Sequence, residues 1–128
     1  MRSRILYISG HPQDARLLSQ MLQPLPLTLE HVKSLQEARK ELELKDYDVV
    51  LTESLLPDGK WLDVLHLVRE SPQEPKIIVT DRQADARFWA EALNLGAYDL
   101  LAQPFYEPEV QRILHNACSR PTLTMSAV

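Results

Sequence analysis

Five short apolar runs, each followed by a segment with helical spacing of its apolar residues, constrain this chain more than any other feature. Ile5-Leu6-Tyr7-Ile8 is the first run, and Ser9-Gly10-His11-Pro12 turns it into a helix carrying Leu17, Leu18, Met21 and Leu22 until Pro24. Leu27 to Val32 alternates apolar with mostly polar residues, as a sheet-edge strand does. Ser34 with Glu37 three residues on is a capping-box signal, and Leu35, Ala38 and Leu42 form the stripe behind it. Asp48 to Thr52 is the third strand, with a helix from about Lys60 to Glu70; Lys76 to Thr80 is the fourth. An alanine-rich helix over Ala84 to Leu95 ends at Gly96, a good C-cap residue. Tyr98 to Ala102 is the fifth strand, and the last helix, from about Tyr106, places Val110, Ile113, Leu114 and Ala117 on one face. Strands 1, 3 and 4 are nearly all apolar, so both of their faces must be covered. That pattern specifies an α/β fold, a parallel sheet with helices on both sides.

The length of 128 residues fits one domain with a genuine core. We expect the domain to span residues 1–120, with 121–128, PTLTMSAV, as a disordered tail or linker stump. Net charge is −4 and the basic residues are scattered, which argues against a nucleic-acid or anionic-membrane partner within this chain. No apolar stretch approaches the roughly 18–20 residues that span a bilayer, and MRSRILYISG is broken too soon for a secretory signal, so a cytoplasmic location is expected. The lone Cys118 excludes an internal disulfide and a cysteine metal cage.

In open parallel sheets, sites form at the carboxyl ends of the strands, where strand order reverses. Ser9, Gly10, Glu53, Thr80 and Gln103 are expected around that crevice. YDVVLTESLLPDG, PKIIVTD and LGAYDLLAQPF, in this order and at these spacings, resemble the receiver domain of bacterial two-component response regulators. The resemblance covers the chain from Ile5 to about Ser119. It implies a doubly wound, flavodoxin-like (βα)5 fold of strand order 2-1-3-4-5, and a cis peptide between Gln103 and Pro104.

The same resemblance assigns roles that several residues here do not match. Glu53 stands at the phosphoacceptor aspartate, Ser9 and Gly10 at the acidic pair, and Gln103 at the lysine before Pro104, while Thr80 is retained. Leu100 stands at the switch aromatic, Asp81 at the small residue beside the phosphate, and Trp61 where a second glycine is expected. Phosphoryl transfer to a carboxylate brings two anions together, so it depends on positioning and charge neutralisation. Mg²⁺ needs carboxylate and water oxygens, which Ser9 and Gly10 do not supply. Gln103 carries no charge for the phosphate, and Glu53 displaces the nucleophile by roughly 1 Å, a misplacement that can cost about 100-fold. The expectation is a degenerate receiver with a lost Mg²⁺ site, no cofactor and no enzymatic activity.

Two readings of Glu53 stand beside each other: a permanent phosphate mimic accepting a hydrogen bond from Thr80, and a partly solvated carboxylate in a decayed pocket, which we favour. His11, Glu53 and Asp81 are expected to approach one rim, but mixed ligands on separate loops are a weak signal, and no metal is expected. On the fourth helix the buried face should hold Leu93, Ala92 and Ala90 or its neighbours, which leaves Phe88 and Trp89 outward. That pair is either an interaction surface or a cap over the core after strand 4, with Trp89 the better interface candidate. The expected function is phosphorylation-independent protein–protein interaction in two-component-type signalling. Its partner, another protein or a second copy, would meet the face of helix 4, strand 5 and helix 5. Alternatives are an atypical but active phosphoacceptor served by a histidine kinase, and a small-ligand sensor in the remodelled pocket.

Overall fold

The structure is a computed structural model that describes residues 2–83 and 85–119; the expected tail at 121–128 lies outside the described residues. In chain order the elements are β1 (Ser3–Ile8), α1 (Pro12–Leu22), β2 (Leu27–Val32), α2 (Leu35–Leu44), β3 (Val49–Glu53), β4 (Leu55–Leu56), β5 (Gly59–Lys60), α3 (Trp61–Arg69), β6 (Lys76–Asp81), α4 (Ala86–Leu95), β7 (Asp99–Ala102) and α5 (Glu107–Cys118). Five strands form one parallel sheet in the order β2-β1-β3-β6-β7. Setting aside the small antiparallel pair β4–β5, this is the 2-1-3-4-5 order that the resemblance implies.

Burial follows the strand alternation. Ile5, Tyr7, Val49, Leu51, Ile78 and Leu101 pack under α1 and α5, with Leu18, Val110, Ile113 and Leu114 as the covering side chains. Leu6, Ile8, Val50, Ile77, Val79 and Leu100 face the opposite layer, where Ala38, Trp61, Val64, Val68 and Ala92 cover them. Strand β2 is one edge of the sheet, and its residues from Thr28 to His31 are only partly buried.

Local signals account for the ends of the elements. Ser34 caps α2 by accepting from the Glu37 N–H at 3.2 Å, while Glu37 reaches back to the Lys33 N–H at 2.9 Å, one residue beyond the Ser34 amide that a standard capping box would use. Asp85 caps α4 by accepting from the Phe88 N–H at 2.9 Å. Gly96 ends α4 at φ 130°, a backbone conformation a side chain would strain, and a Cβ there would also meet the Arg69 guanidinium. Asp58 accepts from the Leu35 and Gln36 N–H groups at 2.8 and 3.1 Å, which ties the turn after β4 to the start of α2.

On α1, Ala15, Leu18 and Leu22 turn inward and seat Asp14 with them, while Leu17 is 40% exposed. Two expectations need correction. On α4, Leu93 is 47% exposed and Ala90 is exposed, leaving Ala92 as the fully covered residue. Phe88 and Trp89 are half-buried against the α2–α3 side core rather than outward, since Ala92 and Phe88 share a helical face four residues apart and Trp89 flanks it. The hairpin β4–β5 was not expected; its two-residue strands have no periodicity to betray them.

Candidate functional site

The carboxyl ends of β1, β3, β6 and β7 open into a crevice of about 200 Å³ lined by Glu53, Ser54, Thr80, Asp81 and Gln103, with His11, Arg82 and Gln83 at its rim. Strand register places Glu53 directly beside Thr80. The crevice therefore gathers Glu53, Thr80, Asp81 and Gln103 as expected. Ser9 lies below its floor, fully buried, and Gly10 is exposed near Pro57.

Glu53, 9% exposed, is held from the β1 side. Ser9 Oγ donates to Glu53 Oε2 at 2.8 Å, and the same Oγ accepts from the His11 N–H at 2.9 Å. His11 Nδ1 lies 3.1 Å from that carboxylate oxygen. Behind Ser9, His31 Nε2 donates to the Ser9 carbonyl at 2.7 Å, a role fixed by the carbonyl, which can only accept. The β1–α1 turn is thereby pinned from β2 and from β3 at once.

Across the crevice a second set of bonds uses up the remaining groups. Thr80 Oγ1 donates to Gln103 Oε1 at 3.1 Å, so its hydroxyl faces β7 and not Glu53. The peptide between Gln103 and Pro104 is cis, as the resemblance implies. Ser54 Oγ donates to Asp81, whose other oxygen accepts from the Gln83 N–H at 2.6 Å. Arg82 reaches over to α1, donating to Asp14 Oδ2 at 2.6 Å. Trp61, at the start of α3, is buried in the core.

Ser54, Arg82 and above all Asp14 are the residues that sequence reasoning missed. Asp14 carries a readable signal: it stands four and eight residues before Leu18 and Leu22, on the buried stripe of α1. Arg82 and Ser54 sit in turns, where no periodicity marks which way a side chain faces. His11, Glu53 and Asp81 line one crevice as expected, while the ligand atoms that lie within 4.8 Å of one another are those of His11, Asp14 and Glu53.

Mg²⁺ at a receiver's crevice relies on several carboxylate oxygens with water completing an octahedron. Here the positions of Ser9 and Gly10 offer none, Glu53 is engaged by Ser9 and His11, and Asp14 is engaged by Arg82. Among the described residues no helix is long and apolar enough to cross a membrane.

Comparison with known proteins agrees with this architecture. The model of the response regulator receiver domain family matches residues 5–115. The response regulator protein PilR of Pseudomonas aeruginosa is 30% identical over 104 residues, covering 80% of this chain and 23% of PilR. The transcriptional regulatory protein CitB of Klebsiella pneumoniae is 27% identical over 111 residues, covering 85% of this chain and 47% of CitB. The chain thus spans between about a quarter and a half of the length of these curated relatives. Among solved structures, the signal receiver domain of an HD domain-containing protein from Pseudomonas fluorescens Pf-5 superimposes with a TM-score of 0.80 at 25% identity, covering 91% of this chain and 94% of that one. The beryllofluoride-activated NtrC4 receiver domain dimer has a TM-score of 0.81 at 22% identity, covering 89% and 94%. Sheet order, crevice and a family match over most of its length together make this chain a member of the response regulator receiver domain family.

Proposed function

We propose that this receiver domain signals without accepting a phosphoryl group, by docking a protein partner or a second copy of itself. The observation that carries the reading is the state of Glu53: the carboxylate at the acceptor position is buried and bound by Ser9 and His11, while Thr80 is turned to an uncharged Gln103. A nucleophile held that way has no Mg²⁺ of the receiver kind to screen it and no lysine to receive the product phosphate. The same bonds weigh against a phosphate mimic, because a mimic would draw the Thr80 hydroxyl toward Glu53. On this reading the domain is not an enzyme, and the crevice is a structural joint.

The docking face we assign is the one made by α4, β7 and α5. Leu93, Leu95 and Tyr98 are each between 44 and 47% exposed there, and Tyr106 is 67% exposed at the turn into α5. Trp89 and Phe88 are half-buried against the core cluster that holds Ala92 and Leu100. Large apolar side chains left exposed favour association over solvation. The experiment is incubation of the chain with a small phosphodonor and Mg²⁺, followed by intact mass measurement. The expected result is no phosphoryl adduct; a stoichiometric, acid-labile adduct would overturn the reading. For the face, Leu93→Asp should abolish partner capture or self-association while the fold is kept, and undiminished association would reassign the surface.

A further inference from the structure

We propose that a groove at the amino ends of β6 and β7 binds a small monocarboxylate carrying an aromatic ring. It lies at the opposite end of the sheet from the crevice, between the second half of α3, the start of β6 and the turn that ends α4. Its volume is about 430 Å³, against about 200 Å³ for the crevice. That falls inside the range of about 300–1,000 Å³ that small-molecule sites occupy. The floor is apolar: Leu65 and Val68 from α3 and Pro75 and Ile77 from β6 are all buried. Tyr98 lines the side with its ring, and that residue is 46% exposed.

Two cations line this groove, Arg69 and Lys76, and neither forms an ion pair among the described residues. Each is anchored by a backbone carbonyl instead. Arg69 Nη2 donates to the Leu95 carbonyl at 3.2 Å, and it sits so close to Gly96 that a Cβ there would collide with it. Lys76 Nζ donates to the Ala117 carbonyl at 3.1 Å and rests 4.8 Å from the centroid of the Tyr98 ring. A guanidinium has five donors and an ammonium three, so these anchors leave donors on both for an anion. Because the two heads are already held in place, less side-chain freedom is lost on binding. Glu74 is the one acid on the lining, so the groove carries two cations and one carboxylate, a net charge of +1. That balance suits a single carboxylate, disfavours a dianion such as phosphate, and repels an amine. The apolar floor and the Tyr98 ring select the rest of the ligand, since aromatic rings pack in offset or edge-to-face contact with tyrosine. The inference rests neither on the state of Glu53 nor on what docks at the face of α4, β7 and α5.

The test is an amide NMR titration of the full chain with sodium phenylacetate. Sodium acetate, benzylamine hydrochloride and inorganic phosphate are titrated separately, to supply the charge without the ring, the ring with the opposite charge, and a dianion. The expected result is saturable shifts confined to residues 65–69, 74–77 and 96–98, with a dissociation constant of about 1 mM for phenylacetate. Each of the other three compounds should bind at least about tenfold more weakly. Arg69→Gln and Lys76→Gln should each weaken phenylacetate about tenfold, the loss expected of a charged hydrogen bond. Arg69 is exposed, so its substitution leaves the buried floor in place, and the amide spectrum of the variant verifies the fold. Shifts centred on Glu53 and Thr80, or no saturation below about 10 mM, would overturn the site. So would acetate, benzylamine or phosphate binding as tightly, or an Arg69→Gln affinity within about twofold of the wild type.

Discussion

Removing the Ser9 hydroxyl is the sharpest perturbation of the crevice, because that atom joins two elements with no exposed surface of its own. Ser9→Ala deletes one donor to Glu53 Oε2 and one acceptor for the His11 N–H, and leaves the backbone and packing otherwise alone. A hydrogen bond to a charged group contributes about 1.5–3 kcal/mol, and the partly buried His11 amide regains part of its loss from water. Because Glu53 stays buried with only His11 beside it, we expect a loss of about 2.5 kcal/mol, which for a chain of this size is a fall of about 10 °C in Tm. The double variant Ser9→Ala with Glu53→Leu removes both partners, so its cost should fall short of the sum of the singles by about 1.5 kcal/mol. Urea and thermal unfolding followed by circular dichroism measure all four corners of the cycle. A Ser9→Ala loss under about 0.5 kcal/mol, or strictly additive singles, would refute the claim that Glu53 is tied down by Ser9.

Three further outcomes follow from the same structure. Trp61→Ala should lose about 3–5 kcal/mol in urea unfolding, since the indole is 5% exposed and packs into the core beneath α3. Asp58→Ala should cost about 1 kcal/mol and speed amide exchange at Leu35 and Gln36, whose N–H groups the Asp58 carboxylate accepts. The Cys118 thiol, pushed up to about 11 chiefly by burial, should alkylate at pH 8 about 100-fold more slowly than an ordinary exposed thiol; the rate should recover in urea, and equal rates in the folded and unfolded chain would contradict the burial.

The fold was legible in the sequence because parallel strands buried on both faces leave few alternatives: Val49-Val50-Leu51 and Ile77-Ile78-Val79 cannot be solvent-facing. The α5 stripe of Val110, Ile113, Leu114 and Ala117 was likewise readable from spacing, and all four are buried. Identities at the crevice were legible through the register of the strands, but the bonding was not. Whether Thr80 turns to Glu53 or to Gln103 depends on side-chain geometry across the crevice, with Glu53 already held by Ser9 and His11, and periodicity does not mark that choice. The helix α4 misled for a different reason. Its apolar residues form a wide arc, from Phe88 and Trp89 to Leu93 and Leu95, opposite a stripe of Arg87, Glu91 and Asn94. Periodicity therefore could not pick which part of the arc is covered. Asp14 escaped notice because a carboxylate on a buried stripe is read as an interruption; its ion pair with Arg82, 68 residues away, is what makes it tolerable.

The central claim is that this receiver has left phosphoryl chemistry behind, and an amide NMR titration of the chain with Mg²⁺, then with Mg²⁺ and beryllofluoride, tests it most directly. The account predicts a spectrum without saturable change, because Glu53 is already bound by Ser9 and His11 and Gln103 brings no charge. Shifts that saturate and cluster at Ser9, Glu53, Thr80 and Gln103 would contradict it, and would make Glu53 a working acceptor.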